Sequence, residues 1–232
     1  MDYFLNLDRE VKKNFPSYFK DGQYLSLLFT LTHTSFIRGE NYGDLKNSNE
    51  VRVLSFLREN KDLEINTKNI IKLYAILTND ENASFKKENI QVYTGDKFYV
   101  TASKDKTPSE MEELCKNFSH LNNPSKEDFD DVFKFTLQFL CIHPFKNGNG
   151  RISNILLEFL LMKFGLEYAL YLPLDAFVTG IYSSKTTLEI RKASGFYYKM
   201  KEYEYESYIN HMKEMLYKSY MVLLETISKN KK

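Results

Sequence analysis

The sequence predicts a mainly α-helical protein with one small β-hairpin, and three observations carry that prediction. Apolar residues recur at spacings of three and four through most of the chain, the period of a helix with one buried face. Helix starts are well marked, above all Thr107-Pro108-Ser109-Glu110, with a capping hydroxyl, then Pro, then Glu at the third position. At residues 90–100 the period changes to two: Ile90, Val92, then Thr94-Gly95-Asp96, then Phe98 and Val100. Alternation broken by a glycine turn reads as a hairpin.

In chain order, residues 21–37 place Leu25, Leu28, Phe29 and Thr32 on one helix face, with Gly39 as the stop. A polar stretch, Glu40 to Asn49, precedes a short helix marked by Val51, Leu54, Ser55 and Arg58. Thr67 is the expected cap of a helix burying Ile70, Leu73, Tyr74 and Leu77. The helix from Thr107 carries Met111, Leu114, Cys115 and Phe118 inward. Pro124-Ser125 starts the next, with Phe129, Val132, Phe133, Leu137 and Leu140. That helix runs into His143-Pro144-Phe145-Lys146-Asn147-Gly148-Asn149-Gly150-Arg151, after which Ile152, Ile155, Leu156, Phe159, Leu160 and Phe164 mark a helix of about fifteen residues. Leu172-Pro173-Leu174, a Ser/Thr-rich region and the pair Phe196-Tyr197 follow. From Tyr203 onward Tyr208, Met212, Met215, Tyr220 and Leu224 keep helical register.

A length of 232 residues suits one compact domain, divided here into an N-terminal helical extension (1–50) and a core with C-terminal helices (51–232). The 32 basic and 31 acidic residues nearly cancel, which argues against bulk binding to nucleic acid or an anionic membrane. The only two cysteines, Cys115 and Cys141, fall in apolar stripes and read as buried free thiols of a reducing compartment. With no basic leader and no long uncharged apolar run, the expectation is a cytoplasmic protein. Delivery into another cell as an effector leaves no mark of the kind read here.

The chemistry concentrates at 143–151. A glycine-rich turn that opens a helix leaves backbone N–H groups unpaired at the positive end of the helix dipole, a site suited to phosphate. Arg151 adds a forked cation at the same end. His143 brings a group that titrates near neutral pH.

This run resembles the signature of the Fic family, His-Pro-Phe-x-(Asp/Glu)-Gly-Asn-Gly-Arg-x-x-Arg, at every position but two, and the similarity extends from about Thr34 to about Met212. The resemblance implies the helical Fic fold and transfer of AMP from ATP to a Ser, Thr or Tyr hydroxyl of another protein. It implies His143 as general base, Gly148, Asn149 and Gly150 around the α- and β-phosphates, and Arg151 on phosphate. Phe145, Asn154 and Tyr197 complete the implied nucleotide site. The 90–100 hairpin corresponds to the family's flap, where a target segment adds as a strand. Lys86, after Phe85, sits where many members carry an aromatic-Arg pair.

Two departures are expected to weaken the activity or alter its donor. Asn147 replaces the acidic residue that holds Mg²⁺, so metal affinity falls. Asn154 replaces the second Arg, which contacts the γ-phosphate. Thr34-Ser35-Phe36-Ile37-Arg38-Gly39 also resembles the family's inhibitory motif, (Ser/Thr)-x-x-x-Glu-(Gly/Asn), with Arg38 in the Glu position, so Thr34, Arg38 and Gly39 are the regulatory candidates. Ser55 to Asn60 fits that pattern more literally but in poorer surroundings. The alternative to an enzyme is a catalytically silent Fic-fold protein that binds nucleotide or a partner.

Overall fold

A computed structural model describes residues 1–14, 49–94, 97–169 and 202–229. The helices that periodicity marks are present: α2 (Asn49–Glu59), α3 (Thr67–Thr78), α4 (Thr107–Asn117), α5 (Asp131–Ile142), α6 (Asn149–Lys163) and α7 (Glu202–Lys229). Preceding them is α1 (Asp2–Asn14), which falls within the expected N-terminal helical extension, although periodicity assigned that extension no helix before residue 21. The hairpin consists of β1 (Gln91–Thr94) and β2 (Lys97–Val100), antiparallel, with Gln91 opposite Val100 and Thr94 opposite Lys97. The expected helix at 21–37, the segment Leu172–Leu174 and the pair Phe196-Tyr197 lie outside the described residues.

Three starts differ from expectation, each for a local reason. Asn66, not Thr67, caps α3: its backbone is extended and its side chain accepts from the Asn69 N–H. Asn and Thr adjoin here, and it is the Asn66 amide oxygen that takes the N–H three residues on (2.9 Å). Lys106 occupies the cap position of α4, and the Thr107 hydroxyl instead donates back to the Ser103 carbonyl (2.8 Å). Ser125 starts a 3₁₀ turn, Lys126–Asp130, through a capping box with Asp128, and the α-helix proper begins only at Asp131.

The pair α5 and α6 forms the centre. On α5 the residues Val132, Phe133, Phe135, Leu137, Phe139, Leu140 and Ile142 are all buried, so the helix is apolar on nearly every side, as a central helix must be. It packs against α6, α4 and α7. An aromatic cluster joins the layers: Phe129 meets Phe133 edge-to-face at 5.6 Å and Phe164 at 5.5 Å. Phe4 of α1 approaches the same ring at 5.7 Å. Burying each such ring contributes on the order of 1.5–3 kcal/mol. Cys115 and Cys141 are buried free thiols as expected, and burial pushes the Cys115 thiol up to about 12.

The N-terminal helix is fastened by one carboxylate. Asp8, buried between Leu7 and Val11, accepts from the Glu167 N–H (3.1 Å), the Tyr168 N–H (3.0 Å) and the Tyr220 hydroxyl (2.9 Å). Burial raises its pKa, with the three hydrogen bonds working against that shift. Asp8 of α1 therefore meets the turn after α6, 159 positions on, and α7, 212 positions on, at one side chain.

Candidate active site

The loop between α5 and α6 is held at both ends by backbone in the left-handed region. His143 is the C-cap of α5 at φ 54°, ψ 62°, and its N–H donates to the Phe139 carbonyl (2.9 Å). A side chain there costs on the order of 1–2 kcal/mol, and such strain persists only where the surroundings enforce it. Gly148, at φ 70°, caps the start of α6. A Cβ at this position would lie 3.4 Å from Arg151 Nη2 and 3.5 Å from a Tyr74 ring carbon, ordinary contacts, so it is the torsion that calls for glycine.

Between these points the loop closes on itself. The Asn149 side chain accepts from the Phe145 N–H (2.9 Å) and donates to the Phe145 carbonyl (2.8 Å). The Phe145 ring is fully buried and stacks on Tyr74 with centroids 3.7 Å apart at 10°. Phe145 is thus an internal brace, and Asn149 spends its amide on the loop rather than presenting it to a ligand. What the turn does present is backbone. The Ile152 N–H makes the first intrahelical bond, to Gly148 O (3.0 Å), so helix geometry leaves the N–H groups of Asn149 and Gly150 without an intrahelical acceptor. The Arg151 guanidinium lies against Gly148 at this same end. Asn154, one turn further along α6, is buried.

Two residues contribute more than the sequence disclosed. Tyr74 reads as a member of a buried stripe, yet its hydroxyl donates to Asn147 Oδ1 (3.0 Å). Burial pushes its phenol up, so it stays a protonated donor. Asn147 therefore offers a neutral oxygen that already accepts one hydrogen bond. Lys86 is 4% exposed, and its ammonium donates to Thr101 Oγ1 (2.9 Å), the Ile142 carbonyl (3.0 Å) and the His143 carbonyl (2.9 Å). Its own N–H donates to the Pro144 carbonyl (2.8 Å). Burial pulls the Lys86 ammonium from 10.5 down to about 8. A buried aromatic hydroxyl and a buried amine each demand partners, but only the fold shows that these two are buried and which groups meet them.

Beside the loop opens a cleft of about 590 Å³ lined by Tyr74, Thr78, Asp80, Phe85, Lys86, Glu88, Lys146 and Asn147. Lys146 and Glu88 pair across it at 2.8 Å with both side chains exposed. Of the residues singled out by sequence, His143, Phe145, Asn147, Gly148, Asn149, Gly150, Arg151 and Asn154 occupy one loop and the first turns of α6. Thr34, Arg38, Gly39 and Tyr197 lie outside the described residues. No helix among the described residues is long and apolar enough to cross a membrane.

Residues 64–161 match the family model of the Fic/DOC family. Among solved structures, the chain is similar to a Fic domain containing signaling protein from Bacteroides thetaiotaomicron. That match has a TM-score of 0.62 at 17% identity and covers 96% of this chain and 85% of that one. It is also similar to a Fic family protein from Desulfovibrio desulfuricans, at TM-score 0.64 and 15% identity, over 99% of this chain and 74% of that one. At these identities the likeness is one of fold. A comparison with curated proteins finds no match.

Proposed function

The chain carries a Fic/DOC-family domain across residues 64–161, and from that premise we propose that it is a protein nucleotidyltransferase that moves AMP from ATP onto a Ser, Thr or Tyr hydroxyl of a target protein. The observation that carries this reading is the placement of His143. It ends a buried helix in a left-handed conformation, one short loop before a glycine turn that opens a helix, and in this reading the N–H groups of that turn and Arg151 bind the phosphates.

In this reading the His143 imidazole takes the proton of the target hydroxyl as its oxygen attacks the α-phosphorus. The bond from that phosphorus to the bridging oxygen breaks, and pyrophosphate leaves. The backbone of Gly148 to Gly150 and the Arg151 guanidinium hold negative charge where it builds up, already oriented and at no cost of reorganisation. The target segment adds as a strand to the hairpin β1–β2, whose ladder pairs only two strands among the described residues.

Asn147 is a poor ligand for a resident Mg²⁺. It lacks charge, and its oxygen accepts from Tyr74, whereas Mg²⁺ favours carboxylates and phosphate oxygens. No step above passes through a metal, and the dependence of the reaction on Mg²⁺ is expected to be weak. The neutral residues Asn147 and Asn154 favour a second reading, a regulator that binds nucleotide without transferring it. Incubating the protein with α-labelled ATP, GTP, UTP and CTP in cell lysate, beside His143→Ala, separates the two. Label on a protein that vanishes in the variant supports the transferase and names the donor. Nucleotide binding without label supports the regulator.

A further inference from the structure

The geometry points to Lys86 as the positioning residue that locks His143 into its left-handed conformation and ties it to the base of the hairpin. The last carbonyls of a helix have no intrahelical donor, and at the end of α5 two of them, Ile142 O and His143 O, both accept from the Lys86 ammonium. A cation at a helix C-terminus is favoured by the dipole as well. The third donor goes to Thr101 Oγ1, which itself donates to the Ile90 carbonyl (2.7 Å). Ile90 precedes β1 and Thr101 follows β2, so one amine joins both ends of the hairpin to the carbonyl of the proposed base. The Lys86 N–H on the Pro144 carbonyl closes the same unit from the other side.

The chemistry needs a cation of this shape here. An ammonium has three donors on one atom, and all three are used. Methionine keeps the apolar stem and supplies none. Arginine supplies enough donors in a planar fork, so it recovers the contacts only in part. A side chain that merely fills space would show no such order among variants.

The inference rests on reading His143 as the base, so its test has one arm independent of transfer. In full-length protein labelled selectively at histidine, the His143 Cα resonance is assigned by its absence from His143→Gln. In Lys86→Met that resonance is expected to shift or broaden as the backbone leaves the left-handed region. Transfer kcat is expected to fall about 100-fold, the scale of a misplaced catalytic group, with the nucleotide KM within about threefold. Lys86→Arg is expected to recover activity to within about tenfold of the parent. A His143 resonance unmoved in Lys86→Met overturns the proposal, whatever happens to transfer. A moved resonance in a protein that shows no transfer upholds the positioning and rejects the transferase reading. If Lys86→Met does not fold, Thr101→Val removes only the hairpin link; a smaller shift in the same direction supports the proposal, and an unmoved resonance overturns it.

Discussion

Two buried ions tie this molecule together, and they are mirror images. Asp8 accepts three hydrogen bonds, from two backbone N–H groups and a phenol. Lys86 donates three, to two backbone carbonyls and a hydroxyl. Each joins segments far apart in sequence, and each offsets the cost of burying a charge with three hydrogen bonds. They differ in what lies beside them. Around Asp8 are α1, α7 and the turn after α6, with no residue of the proposed chemistry. Around Lys86 are His143, the glycine loop and the hairpin. The same physical device thus serves assembly at one end and geometry at the other, and burial alone does not distinguish the two roles.

Substitution at each site breaks that comparison most strongly if the roles are misassigned. Lys86→Met is expected to cost far more in transfer than in stability. Asp8→Ala is expected to lower stability by about 1.5–3 kcal/mol, the range for hydrogen bonds to a charged group, with little change in transfer per folded molecule. Urea melts and transfer rates on the same samples check this. A large loss of transfer in folded Asp8→Ala would erase the distinction.

The glycines beside each ion sharpen it. Gly148 (φ 70°) and Gly165 (φ 82°) both sit in the left-handed region, so alanine at either costs about 1–2 kcal/mol of stability. At Gly165 the nearest atom to a Cβ is Leu5 Cδ2 at 3.7 Å, an ordinary contact. At Gly148 the contacts are also ordinary, but the groups touched are the Arg151 guanidinium (3.4 Å) and the Tyr74 ring (3.5 Å), both at the proposed anion turn. Calorimetry is therefore expected to find weakened nucleotide binding in Gly148→Ala and unchanged binding in Gly165→Ala.

The smallest expected effect is in pH dependence, where the two ions have opposite signs. Lys86 is depressed in the folded state, so the stability of its neutral form is fully present above 10.5 and is lost as pH falls through about 8. Asp8 is raised, so its contribution is fully present below 3.8 and is lost as pH rises through its higher folded value. Relative to Lys86→Met, the parent is expected to gain stability between pH 8 and 10. A gap that stays constant across that window would mean that Lys86 does not titrate there.

Much of this was legible in sequence, because helices with one apolar face advertise it. The stripes of α3 to α7, the hairpin and the loop at 143–151 all follow from spacing and turn chemistry. Helix α1 lies within the expected helical extension, but periodicity does not draw its bounds, because Asp8 shares its buried face with Phe4, Leu7 and Val11 and a carboxylate there reads as surface. Helix starts shifted by a residue or more where neighbouring polar side chains compete to cap, as at Asn66 and Thr67. The roles of Tyr74 and Lys86 depend on partners 73 and 57 positions away. No local pattern encodes such pairings; only the folded arrangement brings them together.

The central claim is that His143 drives attack on the α-phosphorus of a nucleotide held at Gly148–Arg151. Parallel incubations with ATP labelled at the α- or the γ-phosphate, with parent and His143→Ala, test it most directly. Protein-bound label is expected from the α-position alone, falling by about 10²–10⁴-fold in the variant. Label arriving from the γ-position, or α-label that persists undiminished in His143→Ala, would contradict it.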